Sequence, residues 1–177
     1  MSIKRISAVL DAAQVKNLRA GDEVFISGDI WTARDAAHKR FVKLIENGEK
    51  LPVDLKNHII YFAGPCPAKP HEAIGSIGPT TGGRMDAYSP ALIRECELTG
   101  MIGKGNRSRE VIDAMTEYGA VYFAAIGGAA ALISKTVKDA RIVAYEDLGA
   151  EAVRKLRVED FPAIVAIDSY GKSLYER

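Results

Sequence analysis

The chain is poor in the side chains that bind metals or form cross-links. Its 177 residues include only two cysteines, Cys66 and Cys96, and three histidines. Two such widely separated cysteines form neither a CxxC pair nor a disulfide framework, which is the pattern of proteins from a reducing cytoplasm. The inventory excludes a disulfide-stapled scaffold and argues against a zinc or iron–sulfur site built by this chain alone.

Net charge and long apolar runs are also scarce. The 24 basic residues balance 23 acidic ones, so no long-range field attracts nucleic acid or an anionic membrane. The longest apolar stretch, residues 120–134, is interrupted by Gly127 and Gly128, and the first six residues lack the apolar core of a signal peptide. We therefore expect a cytoplasmic protein with no nucleic-acid or membrane partner.

What the chain does contain is typical of a globular α/β domain. Hydrophobic residues make up 47% of the composition, and no repeat or linker divides the chain, which predicts one domain over residues 1–177. From about residue 89 onward, helical patterns alternate with buried strands, which favours largely parallel pairing. The first half is richer in strands and loops, and we expect a mixed α/β fold with two sheet-containing layers.

Local signals place several elements. Thr32 followed by Asp35 predicts an N-cap for a helix that runs to about Asn47. Residues 150–156 are predicted to be helical and residues 163–168 to form a buried strand. Another buried strand is predicted over residues 120–126 and a small-residue helix over 129–135, with the intervening glycine pair ascribed to close strand–helix packing.

The segment from Gly75 to Asp86 is the most informative part of the sequence. Its glycines and Pro79 disfavour a regular element and allow turns that expose backbone N–H groups. Thr80 and Thr81 come shortly before Arg84. The N–H groups and the guanidinium can bind carboxylate oxygens while a hydroxyl faces the reacting carbon. The competing interpretation is a surface turn made of turn-forming residues.

A second cluster opens the helix predicted after Thr32. Arg34 would lie in its first turn, where the positive end of the helix dipole disfavours a cation, so an anionic partner is expected. That partner is either Asp35, in an exposed ion pair of little energetic value, or a substrate carboxylate. For His38, a structural hydrogen bond to Asp35 is favoured over catalysis.

A third cluster places Lys104 between Gly103 and Gly105, at the junction of a predicted strand and helix. Open α/β sheets bind ligands at such junctions, but by itself this motif favours a solvated loop lysine, and its spacing is not that of a P-loop. Together, Arg34, Arg84 and Lys104 supply three cations in an otherwise neutral chain. Two carboxylates on one small substrate need a set of this size.

Five segments in order resemble the β subunit of two-subunit class I fumarases, an iron–sulfur hydro-lyase family that also contains L-tartrate dehydratase. They span nearly the whole chain: Gly28 to Arg40 with an RDxAH pattern, Tyr61 to Pro65, Gly78 to Asp86 with GPTTxGRMD, Gly103 to Ser108 with GKGNRS, and Leu148 to Pro162 with LGxEA and VEDFP. Their number and order make the resemblance specific.

The resemblance implies a swivelling β/β/α domain with mixed sheets and helices. It also implies a separate α subunit whose cysteines hold a 4Fe–4S cluster, so that this chain supplies no metal ligand and is inactive alone. In the family, one iron without a cysteine ligand acts as a Lewis acid on the substrate. An assembly of two α and two β subunits is expected, with a contact between β subunits left open.

The resemblance also assigns residues. Arg34, Arg84 and Lys104 match the family's carboxylate contacts, and Thr80 matches the hydroxyl proposed to remove the C3 proton of malate. A threonine alkoxide is too basic to persist at neutral pH, so Thr80 is either a base aided by clustered cations or a relay to a group on the α subunit. The supporting residues expected around them are Asp35, His38, Thr81, Gly82, Gly83, Asp86, Gly103, Gly105 and Asn106.

The substrate follows less directly. The unbroken motifs at residues 80–86 and 105–108 resemble fumarase more than tartrate dehydratase, so fumarate and L-malate are the first expectation. L-tartrate or another hydroxy-dicarboxylate is the second. The remaining alternative is a stand-alone, non-catalytic module that binds a dicarboxylate or phosphate.

Overall fold

Seven β-strands lie at the centre of the computed structural model, which describes residues 3–125 and 130–176. The strands are β1 Ile3–Ser7, β2 Glu23–Thr32, β3 Ile59–Tyr61, β4 Gly100–Gly103, β5 Val121–Ala125, β6 Val137–Ala144 and β7 Val153–Ile167. The helices are α1 Ala12–Asn17, α2 Asp35–Glu46, α3 Ser89–Cys96, α4 Arg109–Tyr118 and α5 Ala130–Thr136, with 3-10 helices at Gly82–Met85 and Glu146–Glu151.

The strands form one curled sheet in the order β1-β2-β3-β4-β5-β7-β6, and β2 also pairs with β7. This extra pairing closes β2, β3, β4, β5 and β7 into a small barrel-like ring, with β1 and β6 at its open edges. Closure is feasible because β2 and β7 are long and change partners along their length. Both strands bend at positive-φ residues, Gly28 in β2 and Asp160 in β7.

The sheet separates two apolar clusters. In β3, the side chains of Ile59 and Tyr61 join one cluster and that of Ile60 joins the other, as the period of two in a strand requires. Helices α2, α3 and α4 cover the second cluster, to which Phe41, Leu92 and Met115 contribute. Strands β3, β4 and β5 are therefore buried on both faces, and the segments that follow β3 and β4 contain Thr80, Arg84 and Lys104.

The expected α/β class, a swivelling domain of mixed sheets and helices, is confirmed, with two differences of arrangement. The expected two sheet layers are one continuous sheet. The pairing is parallel from β1 to β5, but β7 runs antiparallel to β2, β5 and β6, so the expectation of largely parallel pairing in the second half is only half right.

Two local predictions are wrong. Thr32 does not cap α2: it is buried at the end of β2, where its Oγ1 accepts a hydrogen bond from the N–H of Arg154 at 3.1 Å, and Arg34 is the capping residue. The helix predicted over residues 150–156 is absent because a 3-10 helix ends at Glu151 and β7 begins at Val153.

Two further observations bear on the expected elements. The predicted elements over 120–126 and 129–135 are found as β5 and α5, whereas Gly127 and Gly128 lie outside the described residues. Within residues 3–125 and 130–176, no helix combines the length and the apolar character that crossing a membrane requires.

Candidate active site

The loop containing Thr80 extends the sheet at the carboxyl ends of β3 and β4. The N–H of Thr80 donates to the carbonyl of Phe62 at 2.7 Å, and the N–H of Lys104 donates to the carbonyl of Thr80 at 3.2 Å. The N–H of Gly82 continues this ladder to the carbonyl of Lys104 at 2.8 Å. The main chain therefore brings Thr80 and Lys104 together, as the sequence predicts, at the end of parallel strands where α/β sheets bind ligands.

Asp35 connects the two arginines predicted to bind carboxylates. The Nε of Arg84 donates to Asp35 Oδ2 at 3.0 Å, and the Nε of Arg34 lies 4.0 Å from Asp35 Oδ1. Both contacts use Nε, and no described residue bonds the terminal guanidinium nitrogens of either arginine. These nitrogens present the fork of donors that matches a carboxylate.

Glu151 is a second acidic neighbour of Arg34. Its Oε1 lies 4.0 Å from Arg34 Nε and accepts the N–H of Ala36 at 3.5 Å, so the 3-10 helix Glu146–Glu151 places a carboxylate at the start of α2. Arg34 Nε and Asp35 Oδ1 are buried atoms with no hydrogen-bond partner. Sequence reasoning assigned no role to Glu151, whose contact with Ala36 joins segments 115 residues apart.

His38 holds the backbone of Arg34 rather than the side chain of Asp35, so the predicted hydrogen bond to Asp35 is wrong. Its Nδ1–H donates to the carbonyl of Arg34 at 2.8 Å, since a carbonyl can only accept. The ring is fully buried, with an edge-on contact to Phe62. Burial lowers the pKa of His38 to about 4, so its imidazole is neutral at pH 7.

Arg107 was missed as part of this region. Its side chain is completely buried, with Nε donating to Asp86 Oδ1 at 2.7 Å and a terminal nitrogen donating to Ser89 Oγ at 2.6 Å. The other oxygen of Asp86 accepts the N–H of Ser108 at 2.8 Å, at the start of α4. The expected supporting residue Asp86 thus has a structural partner, and its carboxylate anchors the loop after β4.

Glycine is required at two positions in these loops. A Cβ on Gly82 would lie 2.4 Å from the hydroxyl oxygen of Tyr122, so the loop could not approach the sheet as closely. Gly105 has φ +79°, a left-handed conformation, and its carbonyl accepts the hydroxyl of Tyr122 at 3.0 Å. A Cβ on Gly83 would meet no atom closer than 3.7 Å, so space does not require glycine there.

The remaining predicted residues line the same surface. The side chain of Lys104 is exposed, Thr80 is half-buried and Thr81 is exposed. No described residue bonds the Lys104 ammonium or the hydroxyl of Thr80 or Thr81. A Cβ on Gly103 would lie 2.9 Å from Phe62, and Asn106 Oδ1 accepts the N–H of Arg107 at 2.8 Å. Both residues shape the loop backbone.

The three cations and the hydroxyl differ in exposure: Arg84 and Lys104 are exposed, whereas Arg34 and Thr80 are half-buried. A cavity of about 600 Å³ lies elsewhere, between the loop after α2 and the end of α3, and none of the four residues lines it. The fold and this surface together define a mixed α/β domain with a cationic loop face suited to a small anion.

Comparisons with known proteins identify the family. The sequence model described as Fumarase C-terminus matches residues 3–177, and the chain belongs to this family. The chain is 42% identical to the "Putative L(+)-tartrate dehydratase subunit beta" of Methanocaldococcus jannaschii, over 94% of this chain and 88% of that protein. The family resemblance inferred from the motifs is thereby confirmed.

Longer relatives contain the domain as one part. The chain is 39% identical to "Fumarate hydratase class I, aerobic" of Escherichia coli (strain K12), over 93% of this chain and 30% of that protein. It is likewise 39% identical to "Fumarate hydratase 2" of Leishmania major, over 93% of this chain and 29% of that protein. The chain therefore spans less than a third of the length of these fumarate hydratases.

Proposed function

We propose that this chain is the β subunit of a two-subunit hydro-lyase that interconverts fumarate and L-malate. The observation that carries the proposal is the link from Arg84 through Asp35 to Arg34, with Lys104 and Thr80 held by one backbone ladder. Names and lengths of the relatives support the subunit role: one is a β subunit of similar length, and the fumarate hydratases are more than three times longer.

The residues of this chain do not fit a 4Fe–4S cluster. Cys66 is exposed and lines one cavity, Cys96 lines another, and the described residues include no group of three or more potential metal ligands. In this proposal the cluster, and the cysteines that hold it, belong to an α subunit.

The proposed roles of this chain are binding and proton transfer. In the dehydration direction, malate loses a proton from C3 and the C2 hydroxyl leaves as water, which forms fumarate. Arg34, Arg84 and Lys104 hold the two carboxylates. Thr80 either takes the C3 proton as an alkoxide or relays it through its hydroxyl to a group on the α subunit. The cations lower the cost of negative charge on an oxygen in a site that a partner subunit closes to water.

L-tartrate is the second candidate substrate. The match covers 88% of the relative named as a tartrate dehydratase subunit but only 30% of the Escherichia coli fumarate hydratase. In chain length, this protein is therefore more similar to the tartrate dehydratase subunit. Both substrates carry two carboxylates and a hydroxyl on the carbon that loses water, and the same three cations serve either. A non-catalytic dicarboxylate-binding module remains the alternative outside the enzymes.

The test is co-expression with a candidate α subunit, followed by anaerobic assay on fumarate, malate and tartrate. We expect turnover from the complex and none from the purified chain, with fumarate preferred. Turnover by the isolated chain contradicts the subunit role. Calorimetry with malate on the isolated chain distinguishes the enzyme subunit from a non-catalytic binding module. Only the binding module is expected to bind malate with substantial affinity in the absence of a partner.

A matched pair of arginine variants tests the carboxylate clamp. Arg84→Ala should lower kcat/KM about 100-fold or more, because hydrogen bonds to charged groups contribute about 1.5–3 kcal/mol each. Arg94→Ala is the control: its Nε contacts Glu95 at 3.0 Å, as that of Arg84 contacts Asp35, and the two side chains are 49% and 54% exposed. Equal activities of the two variants would remove Arg84 from the site.

A further inference from the structure

The edge strand β6 has one side without a backbone partner among the described residues. It pairs with β7 along one edge only and is the last strand in the sheet order. Ile142 and Val143 on this strand are exposed, Ile142 to 42%. An exposed edge strand with apolar side chains is a template for pairing with another chain unless something blocks it.

Two charges on β6 have no ion-pair partner within the described residues. Asp139 lies opposite Arg157 of β7 without a contact within 4 Å, and Arg141 lies opposite Lys155, a residue of the same charge. The ammonium of Lys155 instead contacts Asp29 at 3.3 Å. Arg141 therefore lies opposite a like charge, which is unfavourable in a cross-strand pair, and no described carboxylate forms an ion pair with Arg141 itself.

The spacing of these charges is self-complementary. When two copies of β6 pair antiparallel with Ala140 opposite Ala140, Asp139 of each copy lies opposite Arg141 of the other, which forms two equivalent ion pairs. A register shifted by one residue places Lys138 opposite Arg141 or leaves no ion pair. A register shifted by two residues places Asp139 opposite Asp139 of the second copy, or Arg141 opposite Arg141, so like charges face each other.

We propose that β6 is a homodimer interface, in which a second copy of this chain continues the sheet by antiparallel pairing centred on Ala140. The bulges between Val137 and Asp139 and between Ile142 and Ala144 leave regular geometry over residues 139–142, which include Asp139, Ala140 and Arg141, the three residues at the centre of this pairing. In this register the aliphatic stem of Lys138 covers Ile142 of the second copy. The interface is independent of the residues assigned to catalysis.

A charge swap tests the ion pairs by sedimentation of the full chain over a concentration series. The wild type should dimerise, whereas Asp139→Arg and Arg141→Asp should each weaken the dimer at least tenfold, because each single change sets like charges opposite. The double variant Asp139→Arg/Arg141→Asp restores both pairs and should restore the dimer. Asp113→Arg, an exposed change on α4, is the control and should leave dimerisation unchanged.

Cysteine cross-linking tests the register. In a Cys66→Ser/Cys96→Ala background, Ala140→Cys should form a covalent dimer under mild oxidation, because opposed residues in an antiparallel pair lie within disulfide reach. Removing Cys66 is necessary because it lines the same cavity as Ala140. Lys138→Cys is the control, since in this register its two copies are too far apart to bridge.

Each outcome decides the proposal. A wild-type chain that stays monomeric at every concentration overturns it, as does a dimer that survives both single swaps. A double swap that remains monomeric, or a Lys138→Cys variant that cross-links as fast as Ala140→Cys, excludes this pairing. None of these measurements uses enzyme activity, so they stand apart from the test of the proposed function.

Discussion

Two arginine clusters hold the loops of the candidate site, and they differ in how fully their donors are used. In the closed cluster of Arg107, Asp86 and Ser89, the guanidinium is completely buried and bonds both partners. In the open cluster of Arg34, Asp35 and Arg84, the nearest contacts to carboxylates are made by Nε, and no described residue hydrogen-bonds the terminal guanidinium nitrogens. Satisfied donors stabilise a fold, whereas donors left free on a surface are available to a ligand.

The largest expected effect is on the closed cluster. Arg107→Ala should lower the free energy of unfolding by about 3–5 kcal/mol, because it leaves the carboxylate of Asp86 without its buried cation. Urea unfolding of the isolated chain measures this. Arg109→Ala is the control. The Arg109 side chain is 72% exposed, and among the described residues its one ion pair is with Asp113, so the free energy of unfolding should change by less than about 1 kcal/mol. Equal stability of the two variants contradicts the contrast between buried and surface arginines.

The second effect is on activity alone. Thr80→Val keeps the shape of the side chain and the backbone ladder but deletes the hydroxyl, so kcat of the reconstituted enzyme should fall about 10²- to 10⁴-fold with unchanged urea unfolding. Thr81→Val, at the exposed neighbouring position, should retain most of the activity. Normal turnover by Thr80→Val excludes both the base and the relay role.

The third effect is a pH dependence of stability that comes from His38, whose ring holds the backbone of Arg34 in the open cluster. The pKa of His38 is about 4 in the folded chain and about 6.5 when unfolded, so below pH 6.5 the unfolded state binds a proton that the folded state does not. Stability is therefore greatest above pH 6.5 and should decline by up to about 3 kcal/mol as the pH falls to 4.

Urea titrations across this pH range measure the decline. His38→Gln should flatten it between pH 4 and 6.5, because the titrating ring is gone. His58→Gln, which removes a half-buried histidine elsewhere, should leave the decline in place. A wild-type curve that is flat over this range is incompatible with a buried, neutral His38.

The smallest expected effect concerns Glu151. Glu151→Gln should raise KM about three- to tenfold with little change in kcat, because the weakened contact lets Arg34 depart from its binding position before the substrate arrives. Stability should change by less than about 1 kcal/mol, since the contacts of Glu151 are long. Glu146→Gln, at the exposed start of the same 3-10 helix, is the control, and an equal KM for both variants would rule out this role.

Sequence reasoning succeeds where the signal is local. The elements predicted over residues 120–126 and 129–135 appear as β5 and α5. Composition alone singles out the glycine-flanked Lys104 and the loop around Thr80 as candidates for the site. Sequence reasoning fails where a contact joins distant segments. Glu151 meets Ala36 across 115 residues, and the burial of Arg107 depends on Phe62 and Tyr122, whose rings lie 5.1 and 4.9 Å from the guanidinium carbon.

Two wrong predictions have the same physical origin. Thr32 has a side chain that can cap a helix, but the pairing of β2 with β7 buries it. Its Oγ1 accepts a hydrogen bond from the N–H of Arg154 instead. Residues 153–156 suit a helix, yet β7 lies between β2 and β6, and hydrogen bonds on both sides outweigh local preference. In both cases a strand from the other end of the chain decides the outcome.

The backbone hydrogen bonds of Thr80 separate the position of the loop from the identity of the side chain at residue 80. Its amide and carbonyl, not its side chain, hold the loop against Phe62 and Lys104. A residue other than proline whose side chain fits this half-buried position can therefore keep the hydrogen bonds of the loop. Under the proposed function, a substitution at position 80 therefore changes the reacting group while the backbone hydrogen bonds that hold the loop remain.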